Sequence, residues 1–282
     1  MTAFRAALVQ MTSSRSIAEN IEAMDALVRR AAAGGAHYVQ TPETTGIMDE
    51  DPKRLFETLT AQEDDPTLAH ALGLAKELGI HLHLGSLAVK VGDGAKAANR
   101  AFVIAPNGTV AASYDKIHLF DVQLADGQVY RESARYVAGH RAVVVDLPWG
   151  RMGLSICYDL RFPHLFRRLA RDGGAVMLTV PAAFTRPTGE AHWHTLLRAR
   201  AIENGAWVLA AAQGGLHENG RETYGHSIVI DPWGTVVAEA GVEPGVIFAE
   251  IDPAKAAEVR GRVPSLSHDR PFSLSSRSEG AR

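Results

Sequence analysis

The only cysteine of the chain, Cys157, stands at a position where chemistry is possible. An apolar stretch before it predicts a buried strand. A polar turn and Pro163 after it predict the start of a helix. A thiol at such a corner is held by rigid elements and can face a cleft, which suits a nucleophile. Taken alone, however, a single cysteine is more often a small apolar side chain of the core. Other residues of the chain must therefore show whether Cys157 is a nucleophile.

Three further segments place an ionisable side chain in a loop after a predicted strand: Glu43, Lys116 and Glu132. A thiol needs a base or a positive neighbour to become a reactive thiolate. A carboxylate shielded from water can have a raised pKa and act as that base, and a buried ammonium can stabilise an oxyanion. Each residue alone also fits a solvated surface, and Lys116 beside Asp115 fits an exposed ion pair.

The composition limits the class of protein. The chain has 282 residues, a formal net charge of −3, 46% hydrophobic and 22% charged residues, as is typical of a soluble globular protein. No basic stripe indicates nucleic-acid binding. One cysteine excludes an internal disulfide framework and fits a reducing cytoplasm. We find no signal-peptide pattern and no apolar stretch long enough to span a membrane, so we expect a cytoplasmic protein.

Strands and helices alternate along the sequence, which predicts an α/β fold. Capping signals begin helices at Ser16 and at Asp65, and further helices are predicted over residues 163–171 and about 190–204. Turn residues join strand pairs over residues 102–114, 142–156 and 227–238, so the sheets should be mixed. We expect one domain over residues 1–262. Residues 263–282, rich in Ser, Arg and Pro, should form an arm on a partner subunit or a frayed tail.

The combination of motifs resembles the nitrilase superfamily, the carbon–nitrogen hydrolases, whose hallmark is a Glu–Lys–Cys triad. The matching motifs are Pro42-Glu43, residues 115–119 around Lys116, and residues 156–163 around Cys157. The family's second glutamate matches Glu132, and the resemblance runs from residue 4 to about 272. It implies a four-layer α-β-β-α sandwich with two mixed sheets. It also implies pairing through helices into a homodimer or a higher homo-oligomer.

Within the superfamily the chain is most similar to the Nit-type branch of small-acid amidases, through residues 188–193, 197–203 and 224–234. That branch contains deaminated glutathione amidases and ω-amidases, and the segments 198–203 and 224–227 look closer to the former. The implied partner is a small acidic amide. The alternatives 2-oxoglutaramate, 2-oxosuccinamate and an N-carbamoyl acid stay open at this point.

The resemblance also implies a mechanism. Glu43 takes the thiol proton while Cys157 attacks the amide carbon. Lys116 and the backbone N–H of Tyr158 hold the oxyanion, and Glu132 fixes Lys116. Ammonia leaves, and water hydrolyses the remaining thioester. No metal or organic cofactor is required.

Three residues are expected to shape the substrate pocket. Arg161, four residues after the nucleophile, contacts the substrate in relatives that bind carboxylates. The alternative for Arg161 is an ion pair with Asp159 or with another structural acid. Phe184 and Thr188, placed on the loop after the strand that ends at Val180, should form part of the pocket wall.

Other interpretations compete with this one. His81 and His83 should share one face of a strand, but no third ligand has a suitable spacing for a metal. His118 either tunes the lysine or is structural. No G-x-S-x-G motif supports a serine hydrolase. A Cys–His hydrolase and a catalytically silent binding protein remain as alternatives.

Overall fold

The computed structural model describes residues 2–123, 127 and 129–275. The strands are β1 (Phe4–Gln10), β2 (Tyr38–Gln40), β3 (His81–Val91), β4 (Lys96–Ile104), β5 (Val110–Asp115), β6 (Asp121–Gln123), β7 (Val129–Arg131), β8 (Val144–Leu147), β9 (Gly150–Gly153), β10 (Met177–Thr179), β11 (Trp207–Ala210), β12 (Gly214–Leu216), β13 (Glu222–Tyr224), β14 (Ile228–Ile230), β15 (Val236–Glu239) and β16 (Gly245–Ile251). The α-helices are α1 (Ile17–Ala33), α2 (Pro52–Thr58), α3 (Pro66–Leu78), α4 (Pro163–Arg171), α5 (Arg186–Asn204) and α6 (Ala254–Arg262). Short 3-10 helices cover Gln62–Asp64, Glu132–Ala134 and Cys157–Arg161.

Two six-stranded sheets form the centre of the molecule. Sheet I has the order β16-β1-β2-β3-β4-β5, and sheet II has the order β15-β14-β11-β10-β9-β8. In sheet I the strands β1, β2 and β3 are parallel and the other pairings are antiparallel. In sheet II the strands β9, β10 and β11 are parallel and the hairpins are antiparallel. The predicted mixed character of both sheets is confirmed.

Alternation along β1 shows how the layers pack. Phe4 and Leu8 belong to the core that sheet I shares with sheet II, whereas Ala7 and Val9 belong to the core under α1 and α3. Both faces of the strand are buried, which explains its nearly continuous apolar sequence. Helices α4 and α5 pack against sheet II, on β9, β10, β11 and β14. The four-layer α-β-β-α sandwich is therefore confirmed.

Helix starts follow the capping chemistry, with two differences from the prediction. Helix α5 begins at Arg186 and not near residue 190, because Pro187 fits the first turn and Gly189 packs tightly on the Tyr224 ring. Helix α2 is an element that the sequence analysis missed. Asp51 accepts hydrogen bonds from two backbone N–H groups at its start and Pro52 follows, which is the same signal that correctly predicts the start of α3.

The segment after α6 lies partly on the domain surface. The Ser265 hydroxyl donates to the Glu203 carbonyl, and Asp269 forms an ion pair with Arg171. Phe272 and Leu274 are exposed. A boundary after residue 262 stays a prediction, and residues 276–282 of the predicted arm lie outside the described part of the chain. Among the described residues, no helix has the length and apolar character needed to cross a membrane.

Gly85, at an irregularity of β3, allows two loops to approach each other. A β-carbon at this position would lie 2.2 Å from the Thr41 carbonyl oxygen and 2.5 Å from the Pro181 side chain. Its own N–H donates to the Thr41 hydroxyl at 3.1 Å. The residue after Pro42 is Glu43, so this close approach sets where that carboxylate stands relative to sheet II.

We expect Gly85→Ala to lower the free energy of unfolding by about 1–3 kcal/mol, because backbone atoms must move to admit the methyl group. The matched control is Gly73→Ala in α3, where nothing lies within 4 Å of the added β-carbon. That change should be stabilising by up to about 1 kcal/mol. Urea unfolding of both variants measures the difference, and equal stabilities would contradict the role of Gly85.

Candidate active site

Both sheets contribute to one cavity. Glu43 follows β2, and Lys116 follows β5 directly, so both come from sheet I. Cys157 comes from sheet II, three residues after Leu154, which follows the end of β9, and it begins a 3-10 helix. The side chains of Glu43, Lys116, Glu132 and Cys157 line the same cavity. The structure thus brings together the four residues that the sequence singles out for chemistry.

The Lys116 ammonium is buried between two carboxylates. Its Nζ donates to Glu43 Oε1 at 2.8 Å and to the two carboxylate oxygens of Glu132 at 3.0 and 2.9 Å. Only 3% of the Lys116 side chain is exposed. Burying a charge without a partner is costly, so the two glutamates are what make this position possible for a lysine.

Asn99 is a site residue that the sequence analysis missed. Its Nδ2 donates to Glu43 Oε1 at 2.9 Å and to Glu132 Oε1 at 3.1 Å. Its backbone carbonyl accepts a hydrogen bond from the backbone N–H of Lys116 at 2.9 Å. The available signal was a polar amide directly after Ala97 and Ala98 in a strand that is largely buried, since a buried amide needs partners. Asn99 therefore joins both carboxylates to the lysine segment.

The Glu43 carboxylate connects the ammonium to the thiol. Its Oε2 accepts the backbone N–H of Ala183 at 2.9 Å, and the carboxylate lies close enough to the Cys157 thiol for each group to affect the pKa of the other. Burial alone would raise the Glu43 pKa, but Lys116 and these hydrogen bonds outweigh it and hold the pKa below its ordinary value. The expectation that burial raises the pKa of this carboxylate is therefore corrected, because it did not include the effect of the neighbouring ammonium.

The Cys157 thiol is protonated at rest. Burial and the Glu43 carboxylate raise its pKa well above the ordinary value, and Lys116 opposes this only in part. Burial acts against the charge of Lys116, yet Glu132 and Glu43 raise the Lys116 pKa. The resting site therefore contains a thiol, an ionised carboxylate and an ammonium. Cys157 has φ +49°, the strained left-handed conformation expected at functional turns.

Asp159 fastens the nucleophile segment to the lysine segment. Its Oδ1 accepts the N–H of His118 at 3.0 Å and contacts His118 Nδ1 at 2.6 Å. Its Oδ2 accepts the Tyr114 hydroxyl at 2.7 Å and the Ile156 N–H at 2.9 Å. The alternative ion pair between Asp159 and Arg161 does not form, and His118 has a structural place, stacked on Phe162.

The predicted pocket residues line the cavity. Arg161 lies over the rings of Tyr158 and Phe184, with its Cζ 5.9 and 5.4 Å from their centroids. Its Nη1 lies 3.3 Å from His192 Nδ1. Thr188 also lines the cavity but belongs to the first turn of α5 and not to a loop, which corrects its predicted setting.

The two histidines considered as metal ligands, His81 and His83, make other contacts in the structure. His83 is buried, its Nδ1 lies 2.8 Å from the Tyr38 hydroxyl, and burial lowers its pKa to about 3. His81 packs against Trp149. In the part of the chain that the structure describes, potential ligand atoms converge within 4.8 Å at one set of residues, which does not line the cavity: His194, His226 and Glu239.

Comparison with known proteins assigns the class. Residues 5–261 match the carbon–nitrogen hydrolase family. The chain therefore belongs to the carbon–nitrogen hydrolases, and its resemblance to the nitrilase superfamily is confirmed. It is 42% identical over 272 residues to the deaminated glutathione amidase of Synechocystis sp., covering 95% of this chain and 98% of that protein.

Solved structures agree with this assignment. The NitFhit protein of C. elegans has a TM-score of 0.89 and 39% identity, and the alignment covers 95% of this chain but 65% of that longer chain. An amidase from Nesterenkonia sp. AN1, described with acrylamide added at its active-site cysteine, has a TM-score of 0.77 and 28% identity, covering 93% and 98% of the two chains.

The single cysteine permits a direct test of the charge arrangement. We expect the thiolate absorbance of the wild-type protein to titrate above the ordinary thiol value of 9.0. Glu43→Gln should lower that pKa, because it removes the repelling carboxylate and leaves Lys116 beside the sulfur. Glu190→Gln, at an exposed ion pair on α5, is the matched control and should not shift it. A wild-type thiol that titrates below neutral pH would refute the arrangement.

Proposed function

We propose that the chain is an amidase in which Cys157 is the nucleophile, Glu43 the proton carrier and Lys116 the oxyanion ligand. The observation that carries this proposal is the Glu43 carboxylate, which accepts a hydrogen bond from the ammonium and lines the same cavity as the thiol, whose pKa it raises. A base beside a protonated thiol can remove its proton at the moment of attack. This mechanism therefore needs no free thiolate in the resting enzyme.

In the acylation step, Glu43 takes the Cys157 proton while the sulfur bonds to the amide carbon. The tetrahedral oxyanion then collapses to a thioester as Glu43 passes the proton to the leaving nitrogen. In the second step, water gives a proton to Glu43 and its oxygen attacks the thioester. Collapse of this intermediate releases the carboxylic acid, and the proton on Glu43 returns to the sulfur of Cys157.

The transfer to Glu43 also prepares the oxyanion site. At rest the three N–H donors of Lys116 face three carboxylate oxygens of Glu43 and Glu132. Protonation neutralises Glu43 and weakens its hold on one donor while negative charge forms on the substrate oxygen. Lys116 can then share that donor with the oxyanion, together with the backbone N–H of Tyr158.

Glu132 acts as a positioning residue in this scheme. It binds Lys116 through both oxygens, and its Oε2 also accepts the Phe120 N–H at 2.6 Å. Glu132 therefore keeps the ammonium in place during the interval when Glu43 is neutral. In this scheme Glu132 supports the reaction by holding Lys116 and exchanges no proton with the substrate.

We infer that the substrate is deaminated glutathione or a similar acid. The similarity to the Synechocystis amidase supports this choice, and Arg161 offers a cation at the cavity without a carboxylate partner in the described chain. Deaminated glutathione contains secondary amides only, so its leaving group is the amine of a peptide and not ammonia. The ω-amidase alternative, with 2-oxoglutaramate or 2-oxosuccinamate, would release ammonia, as would an N-carbamoyl acid.

The competing interpretations receive less support from the cavity. Its lining, within the described residues, includes no histidine. A Cys–His hydrolase would need one beside the sulfur. A silent binding protein would not need a buried ammonium shared by two carboxylates. Assembly into a homodimer or larger oligomer, and a cytoplasmic location, stay predictions.

We expect Cys157→Ala, Glu43→Gln and Lys116→Ala each to lower kcat by about 1000-fold or more, because the three groups act as one unit. Intact-mass measurement during turnover should show an acyl adduct on the wild-type protein and none on Cys157→Ala. A Lys116→Ala enzyme that kept most of its activity would favour the Cys–His interpretation. The absence of any turnover by the wild type would favour the silent binding protein.

The leaving group distinguishes the substrate classes. We expect the wild-type enzyme to release free amine from deaminated glutathione with a higher kcat/KM than it releases ammonia from 2-oxoglutaramate, 2-oxosuccinamate or an N-carbamoyl acid. Arg161→Gln should raise KM for every acidic amide in this panel, because a charge-assisted contact is lost. An equal or higher kcat/KM for neutral aliphatic amides would contradict the acid-amidase assignment.

A further inference from the structure

A second arginine at the cavity has no carboxylate within hydrogen-bond distance among the described residues. Arg221 directly precedes β13 and lines the cavity together with Arg161. The ion pair that Arg221 forms with Glu50 is long, with 3.9 Å between Nη1 and Oε1. A separation of this size is too great for a hydrogen bond. The positive charge of Arg221 is therefore only loosely compensated by the protein.

The protein nevertheless holds this guanidinium in place. Nη2 of Arg221 donates to the Ala183 carbonyl at 2.6 Å, and the guanidinium carbon lies 5.5 Å from the centroid of the Tyr130 ring. Only 18% of the side chain is exposed. Its Nε is covered and has no hydrogen-bond partner in the described part of the chain. A fixed and largely covered guanidinium with unused donors is suited to binding a planar anion.

Ala183 indicates which half of the cavity Arg221 serves. The Ala183 N–H donates to Glu43 Oε2, and its carbonyl accepts from Arg221. In the proposed mechanism Glu43 delivers a proton to the leaving nitrogen, which favours the leaving-group half of the cavity for Arg221. Arg161, by contrast, belongs to the 3-10 helix that begins at the nucleophile Cys157. Because the sulfur bonds to the acyl carbon, this connection to the nucleophile favours the acyl half for Arg161.

We propose, resting on the amidase function above, that Arg221 binds a carboxylate of the leaving group while Arg161 binds one on the acyl part. The preferred substrate is then a secondary amide with a carboxylate on each side of the scissile bond. Deaminated glutathione fits, because it carries a keto-acid carboxylate on one side and a glycine carboxylate on the other. A primary amide such as 2-oxoglutaramate leaves Arg221 without a ligand.

The test compares deaminated glutathione with its analogue that ends in glycinamide, which lacks only the leaving-group carboxylate. The wild type should prefer the diacid in kcat/KM, and Arg221→Gln should reduce that preference by about tenfold or more. Arg131→Gln is the matched control, because Arg131 lines the same cavity and has the same charge. Its effect on the preference should stay below about threefold.

Two outcomes would overturn the proposal. Equal loss on both substrates in Arg221→Gln would mean that Arg221 only supports Ala183 and thereby Glu43. An equal effect of Arg131→Gln on the preference would mean that any positive charge at the cavity suffices. A further check uses Glu50→Gln, which removes the loose partner of Arg221. It should increase the preference for the diacid, and this increase should vanish in the double variant with Arg221→Gln.

Binding to an inactive enzyme separates this proposal from the amidase function. Calorimetry with Cys157→Ser should show tighter binding of the diacid than of the glycinamide analogue, and the added change Arg221→Gln should remove the difference. If the wild type hydrolysed neither compound while this difference in affinity persisted, the amidase function would fail and the Arg221 subsite would stand. Equal affinities of the two compounds for Cys157→Ser would refute the subsite.

Discussion

The rest of the site depends on one buried ammonium, that of Lys116, held between the carboxylates of Glu43 and Glu132. Removing Lys116 would leave two buried carboxylates without their common counter-ion. The pairing joins segments that are distant in sequence, since Glu43 follows β2 and Lys116 follows β5. Asn99 binds both carboxylates as well. The order of strands in sheet I therefore determines that these opposite charges meet in the cavity.

The same interaction explains why the nucleophile can rest as a thiol. Glu43 is ionised because Lys116 lowers its pKa, and the negative charge of Glu43 in turn raises the pKa of Cys157. The proton therefore stays on sulfur until a carbonyl carbon accepts the sulfur electrons. Such a site limits unproductive oxidation or alkylation of the thiol, because the thiolate is the reactive form. Cys157 itself has the left-handed backbone conformation at the start of its 3-10 helix and lines the cavity.

Sequence motifs predicted the parts of the site that are local in the chain. Cys157 and Lys116 each stand in a recognisable segment after a strand, and the α-β-β-α architecture followed from the same resemblance. Asn99 was missed because its role depends on the pairing of β4 with β5, where Arg100 lies opposite Asp115 and Asn99 therefore reaches Lys116. Arg221 was missed because its contact with Ala183 joins two loops, and no local pattern predicts that approach. The sign of the Glu43 pKa shift required the distance to the lysine.

The charges of the cavity are arranged in two zones. The inner zone of Glu43, Glu132 and Lys116 contains one negative charge in excess. The rest of the lining carries four arginines, Arg131, Arg135, Arg161 and Arg221, against two acids, Asp49 and Glu50. A substrate carboxylate is repelled by the inner glutamates and attracted by the arginines. An acidic amide is therefore turned so that its neutral carbonyl faces Cys157 and its charged ends face outward. This orienting force acts on charge, so a neutral amide of equal size does not experience it.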